Sequence, residues 1–84
     1  LHNAYPNPFN PTTIISFEMI EVDKVSLNIF DVAGRKVASL INNELIMPGH
    51  HKISWNPGLL PSGVYLVELV TSVKSFNQKI TYIK

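Results

Sequence analysis

From Thr12 onward, apolar and polar residues alternate with a period of two in short runs rich in β-branched and aromatic side chains. Turn signals separate the runs roughly every 8–12 residues, the spacing of a small all-β sandwich or barrel. Successive side chains on a strand point to opposite faces, so each run divides into an inner and an outer set. In TTIISFEM, Thr13, Ile15, Phe17 and Met19 form the predicted core face, with Ile14, Ser16 and Glu18 opposite. In KVSLNIFD, Val25, Leu27 and Ile29 alternate against Lys24, Ser26 and Asn28.

The segments between these runs carry turn chemistry. In DVAGR, Gly34 can adopt positive φ without steric cost, which predicts a type I turn with a glycine bulge leading into RKVASLI. NNELIMPGH opens polar and ends on Pro48 and Gly49, a pair suited to the centre of a type II turn. HHKISWN then places His51, Ile53 and Trp55 on one face. The connection between NPG and PSG holds Leu59 and Leu60, predicted to plug one end of the core. VYLVELVT turns Tyr65, Val67 and Leu69 inward, and SFNQKITYI puts Phe76, Gln78, Ile80 and Tyr82 on one face. The sum is an all-β, antiparallel β-sandwich of six or seven strands spanning residues 12–84, with no helix of consequence.

Residues 1–11 differ. YPNPFNPTT sets Pro6, Pro8 and Pro11 before the first strand, and proline fixes φ, lacks a donor and pushes its predecessor into extended backbone. That excludes a helix and a central strand, leaving an extended linker or arm, with Phe9 its anchor against the sandwich.

The 84 residues suffice for one domain, and the 45% hydrophobic content is that of a folded one. The formal charge of +1, without any block of like charge, argues against nucleic acid or a membrane surface as partner. No apolar run reaches the ~20 residues of a membrane helix, so direct membrane insertion is not expected. The absence of cysteine removes disulfides, thiolate metal sites and thiol catalysis. The chain opens on Leu1 and reads as a piece of a longer protein.

No constellation for catalysis emerges. His50 and His51 are adjacent, and neighbours on a strand face opposite ways, so they cannot readily share a metal. His2 falls in the arm, and no carboxylate stands at a ligand-like spacing along the chain. Ser62 sits in a turn without an elbow-serine context, and Asp31 reads as a turn cap. The expectation is no enzyme, no cofactor, no metal and no small-molecule substrate. Among the aromatics, Trp55 and Tyr65 read as core, while alternation turns Phe30 outward.

YPNPFNPTT, VSLNIFDVAGRKVASL, GHHKISWN, LPSGVYLVEL and QKITYIK, in that order and spacing, resemble the type A C-terminal sorting domain of the type IX secretion system. Ig-like domains of flagellar hook-cap proteins share part of the pattern. The resemblance implies an Ig-like β-sandwich at the end of a secreted or surface protein, held in the periplasm in transit. Its implied partners are an outer-membrane translocon and a sortase-like protease. Asn7, Pro8, Phe9, Asn10 and Pro11 match the family's opening motif. Asp31, Gly34 and Arg35 match its central hairpin, Gly63 and Tyr65 its SGVY motif, and Lys79 with Lys84 its basic ending. TSVKSFN stands where the family often has glycines, and Tyr82 where it usually has an apolar residue. A strand left open for edge pairing at the C-terminal end is expected to be what the partner reads. The alternative is an accessory carbohydrate-binding or structural Ig-like module, which would display exposed, coplanar aromatic rings.

Overall fold

A computed structural model describes the whole chain, residues 1–84. It contains six strands: β1 (Thr13–Met19), β2 (Asp23–Phe30), β3 (Lys36–Ile46), β4 (Gly49–Trp55), β5 (Gly63–Val70) and β6 (Ser75–Tyr82). β1 and β4 form a two-stranded sheet, and the other sheet has the order β3-β2-β5-β6. Every strand pairing is antiparallel. This is the expected β-sandwich.

Alternation places the core. Thr13, Ile15, Phe17 and Met19 of β1 are all buried, as are Val25, Leu27 and Ile29 of β2 and Tyr65, Val67 and Leu69 of β5. They belong to one cluster of 15 buried hydrophobic residues, except Thr13, whose hydroxyl is satisfied by donating to the Pro6 carbonyl at 2.7 Å. Each aliphatic or aromatic side chain so buried contributes about 1.5–3 kcal/mol.

β3 runs further than its sequence suggests. The polar residues Asn42, Asn43 and Glu44 read as a turn, yet the strand continues through them to Ile46. Pairing with β2 slips at three places, between Val25 and Leu27, Leu27 and Asn28, and Ile29 and Phe30, each time adding a residue on β3. At one bulge Asn43 adopts φ 50°, a left-handed conformation that asparagine tolerates better than most residues, and its amide donates to Ser26 Oγ at 3.0 Å. These bulges account for 11 residues in β3 facing 8 in β2. They also kink an edge strand, a protection against pairing with foreign strands.

Two other expectations are corrected, and the position of one further side chain is set by the width of the sheets. Gly49 does take positive φ, 125°, but it begins β4, and the Pro48 bend carries the chain from one sheet to the other. Leu59 does not plug the core. It stands 95% exposed at the tip of a turn closed by the Leu60 amide donating to the Pro57 carbonyl, while Leu60 packs on the core and Pro57 is buried. Phe76 shares the register of buried Leu69 but is partly exposed, since it lies at the outer edge of a four-stranded sheet that a two-stranded sheet is too narrow to cover.

The arm makes good part of that shortfall. Tyr5 forms an antiparallel bridge to Ile14 at the edge of β1, and Phe9 a parallel bridge to Tyr82 at the edge of β6. Residues 1–11 therefore cross from one sheet to the other instead of hanging free, with Ala4 and Phe9 inside the core. His2 is held as well, its amide donating to the Ser16 carbonyl at 3.0 Å.

Candidate functional site

The residues singled out by the sequence converge on three linked pieces. The first joins the opening motif to the last strand. Asn7 acts through its side-chain amide as a short substitute strand: Nδ2 donates to the Lys79 carbonyl at 3.3 Å, and Oδ1 accepts from the Thr81 amide at 2.9 Å. Two residues on, the Phe9 amide donates to the Thr81 carbonyl at 3.0 Å and the Phe9 carbonyl accepts from the Ile83 amide at 3.1 Å. Four successive outward backbone groups of the chain's end are thus occupied by the arm. The expectation of an open last strand is corrected for this half of β6.

Phe9 locks the arrangement. Its ring stacks on Tyr82 with centroids 5.3 Å apart and tilts against Trp55 at 5.8 Å, and Trp55 meets Tyr65 edge-on at 5.5 Å. Such pairs add about 0.5–1.5 kcal/mol each beyond their buried area. All four rings are buried, so Trp55, Tyr65 and Tyr82 offer no flat exposed surface for a sugar ring. Exposed aromatic area is confined to Tyr5 on the arm, Phe76 on β6 and half-buried Phe30.

The second piece is the β2–β3 hairpin. Asp31 Oδ1 accepts from the amides of Ala33 and Arg35 at 3.0 and 2.9 Å, and Oδ2 accepts from Arg35 Nε at 2.9 Å. The Gly34 amide donates to the Asp31 carbonyl, and φ 84° at Gly34 is the left-handed geometry the turn requires. Chiefly because of the Arg35 amide, and against the pull of burial, the Asp31 carboxyl titrates below its ordinary range. The Arg35 side chain and the Ala33 amide reinforce the effect. This is the turn cap the sequence indicated. Arg35 otherwise extends into solvent.

The third piece is SGVY. Tyr65, near the start of β5, donates its hydroxyl to the Pro61 carbonyl at 2.6 Å, the arrangement of a tyrosine corner in Ig-type sandwiches. Burial first, then the negative charge of Asp31 and the neighbouring Tyr82, push its phenol above the usual range. Ser62 Oγ accepts from the Lys84 amide at 2.8 Å, so this motif also holds the chain's end.

The hairpin, β5 and β6 together line a shallow groove of about 690 Å³ on the outer face of the larger sheet. Asp31, Gly34, Tyr65 and Lys79 all border it. Its floor is apolar, formed by Phe30, Val64 and Leu66, and register aligns Phe30, Leu66 and Lys79 in one cross-strand row. Pro8, Asn10 and Pro11 are exposed in the arm and do not line the groove. Lys79 and Lys84 are exposed and form no ion pair.

A different cluster escaped the sequence reading. Glu18 and His50 face each other in the β1–β4 register, and His2 joins them from the arm, although the three are far apart along the chain. Only strand pairing reveals the association. His51 is elsewhere, stacked on Phe17 at 5.4 Å with Nε2 2.7 Å from the Met47 carbonyl oxygen.

The geometry defines an antiparallel β-sandwich closed by its own N-terminal arm, with its most distinctive contacts between the two ends of the chain. The chain belongs to the secretion system C-terminal sorting domain family, whose model matches residues 3–84. Domains of this family serve as type IX secretion sorting signals and mark secreted or cell-surface proteins. No curated protein and no solved structure matches the chain.

Proposed function

We propose that this domain is a non-catalytic sorting signal that carries its parent protein from the periplasm across the outer membrane through the type IX translocon. A sortase-like protease then acts on the delivered protein. The observation that carries this reading is the meeting of the family's motif residues from both ends of the chain in one latched unit beside one groove.

Because the arm occupies the outer backbone groups from Lys79 of β6 to Ile83 just beyond it, the signal is presented as a folded surface and not as a loose strand. The apolar floor at Phe30, Val64 and Leu66 supplies area for a translocon component to bury. Asp31 and Lys79 at the margin supply opposite charges that orient it. The arm, the hairpin and the tyrosine corner hold this surface rigid.

The test is a reporter carrying a general export signal at its start and residues 1–84 at its end, expressed in a bacterium with a type IX system. The intact fusion is expected at the cell surface or in the medium. Deleting Lys79 to Lys84 should leave it in the periplasm, and so should the double substitution Val64→Glu, Lys79→Glu, which alters the groove without touching the core. Efficient release of the deletion would overturn the sorting role. Release of the double variant would overturn the groove as the surface that is read.

A further inference from the structure

We infer that His2, Glu18 and His50 form a binding site for a borderline divalent cation of the zinc type. Glu18 Oε1 lies 3.5 Å from His50 Nε2 and 3.9 Å from His2 Nε2, and all three ligand atoms fall within 4.8 Å of one another. Around a tetrahedral ion with bonds near 2.0–2.1 Å, donor atoms sit roughly 3.3 Å apart. Exposed side chains close so small a gap by modest rotation. The two imidazole rings face each other, tilted by 27° with centroids 6.3 Å apart, leaving the carboxylate between them as the third donor.

The backbone already holds the three positions. Glu18 and His50 are cross-strand partners, and the His2 amide is hydrogen-bonded to Ser16 of the same strand as Glu18. Two nitrogens and one carboxylate oxygen favour Zn(II), Ni(II) or Cu(II) over Mg(II) or Ca(II), which prefer all-oxygen sets. Three protein ligands leave a fourth position for water or for a donor from another molecule. The ion would tie the start of the arm to the β1–β4 sheet, at a point well separated in sequence from the Phe9 latch. This site stands independently of the secretion reading.

The experiment uses the untagged chain with its first amine acetylated, so that no free amine beside His2 can act as ligand. After stripping with a chelator, it is titrated with ZnCl2 by calorimetry, and thermal melts are recorded with and without the ion. One equivalent should bind saturably and raise Tm, because an ion that binds only the folded arrangement stabilises it by mass action. Glu18→Gln and His50→Ala should each weaken binding by about tenfold or more, which is at least about 1.4 kcal/mol, and His51→Ala should leave it unchanged. Absence of saturable binding up to about 1 mM Zn(II), or an affinity in Glu18→Gln and His50→Ala unchanged from that of the native chain, would overturn the assignment.

Discussion

Asp31 uses both carboxylate oxygens within its own hairpin, and this contributes to how the domain responds to acid. Its titration is displaced downward first by the Arg35 amide. Asp23 is displaced the same way, chiefly by the Ser72 hydroxyl at 2.7 Å and next by the Ser72 amide, which ties the start of β2 to the β5–β6 turn. A carboxyl held lower in the fold than in the open chain stabilises above the open-chain value, about 3.9, and loses that contribution as pH falls through the folded value. Melting temperature measured from pH 5 down to pH 2 should therefore drop more steeply for the native chain than for Asp31→Asn. Parallel curves would show that the carboxylate's hydrogen bonds do not distinguish folded from unfolded chain. Asp31 was legible as a turn cap because its contacts lie within four residues. Glu18 was not, because its neighbours come from the arm and from β4.

At the scale of elements, local pattern was a good guide wherever one face of a strand is covered. β1 and β5 were readable by alternation alone, and so was the hairpin at Gly34; β2 was likewise, except at Asn28, which is buried although alternation turns it outward. The far half of β3 was not, because Asn42 to Glu44 follow neither period, and bulges absorb what alternation would forbid. The arm shows a different limit. Its prolines correctly excluded a regular strand, but nothing in residue type discloses that the Asn7 side chain pairs as backbone does, or that the arm seals the edges of both sheets. Phe9, 2% exposed, is the arm's anchor in the core. Replacing it by Ala removes a ring packed against Tyr82 and Trp55 and should cost about 3–5 kcal/mol in urea-induced unfolding. A loss below about 1 kcal/mol would mean that the arm contributes little to the folded state.

At the scale of the whole molecule, one arm that pairs with part of β1 and part of β6 leaves β3 and β4 as the edges it does not touch, and β3 is bulged along its length. The four-stranded sheet, with its groove, is the broad face free for a partner. This division was invisible in sequence, since it depends on which strands pair across the fold. Even so, the stretches that carry the family resemblance in the sequence fall where the division is made: Asn7 and Phe9 on the seal, Asp31, Gly34 and Tyr65 at the groove, and Lys79 beside both.

The parallel bridge between Phe9 and Tyr82 has a mechanical consequence. Once the arm's bonds to β1 at His2 and Tyr5 have given way, drawing the two ends of the chain further apart must slide the arm lengthwise along β6, so the four hydrogen bonds bear the load in shear. An antiparallel contact there would unzip one bond at a time under far smaller tension. Forced unfolding reports the rate of crossing the unfolding barrier. In single-molecule stretching between residues 1 and 84, Asn7→Ala should sharply lower the rupture force, while Asp31→Asn, outside the load path, should barely alter it. Equal rupture forces would place the resistance elsewhere. The contact that closes the sandwich is thus expected to act also as a clamp against extension between the two ends of the chain.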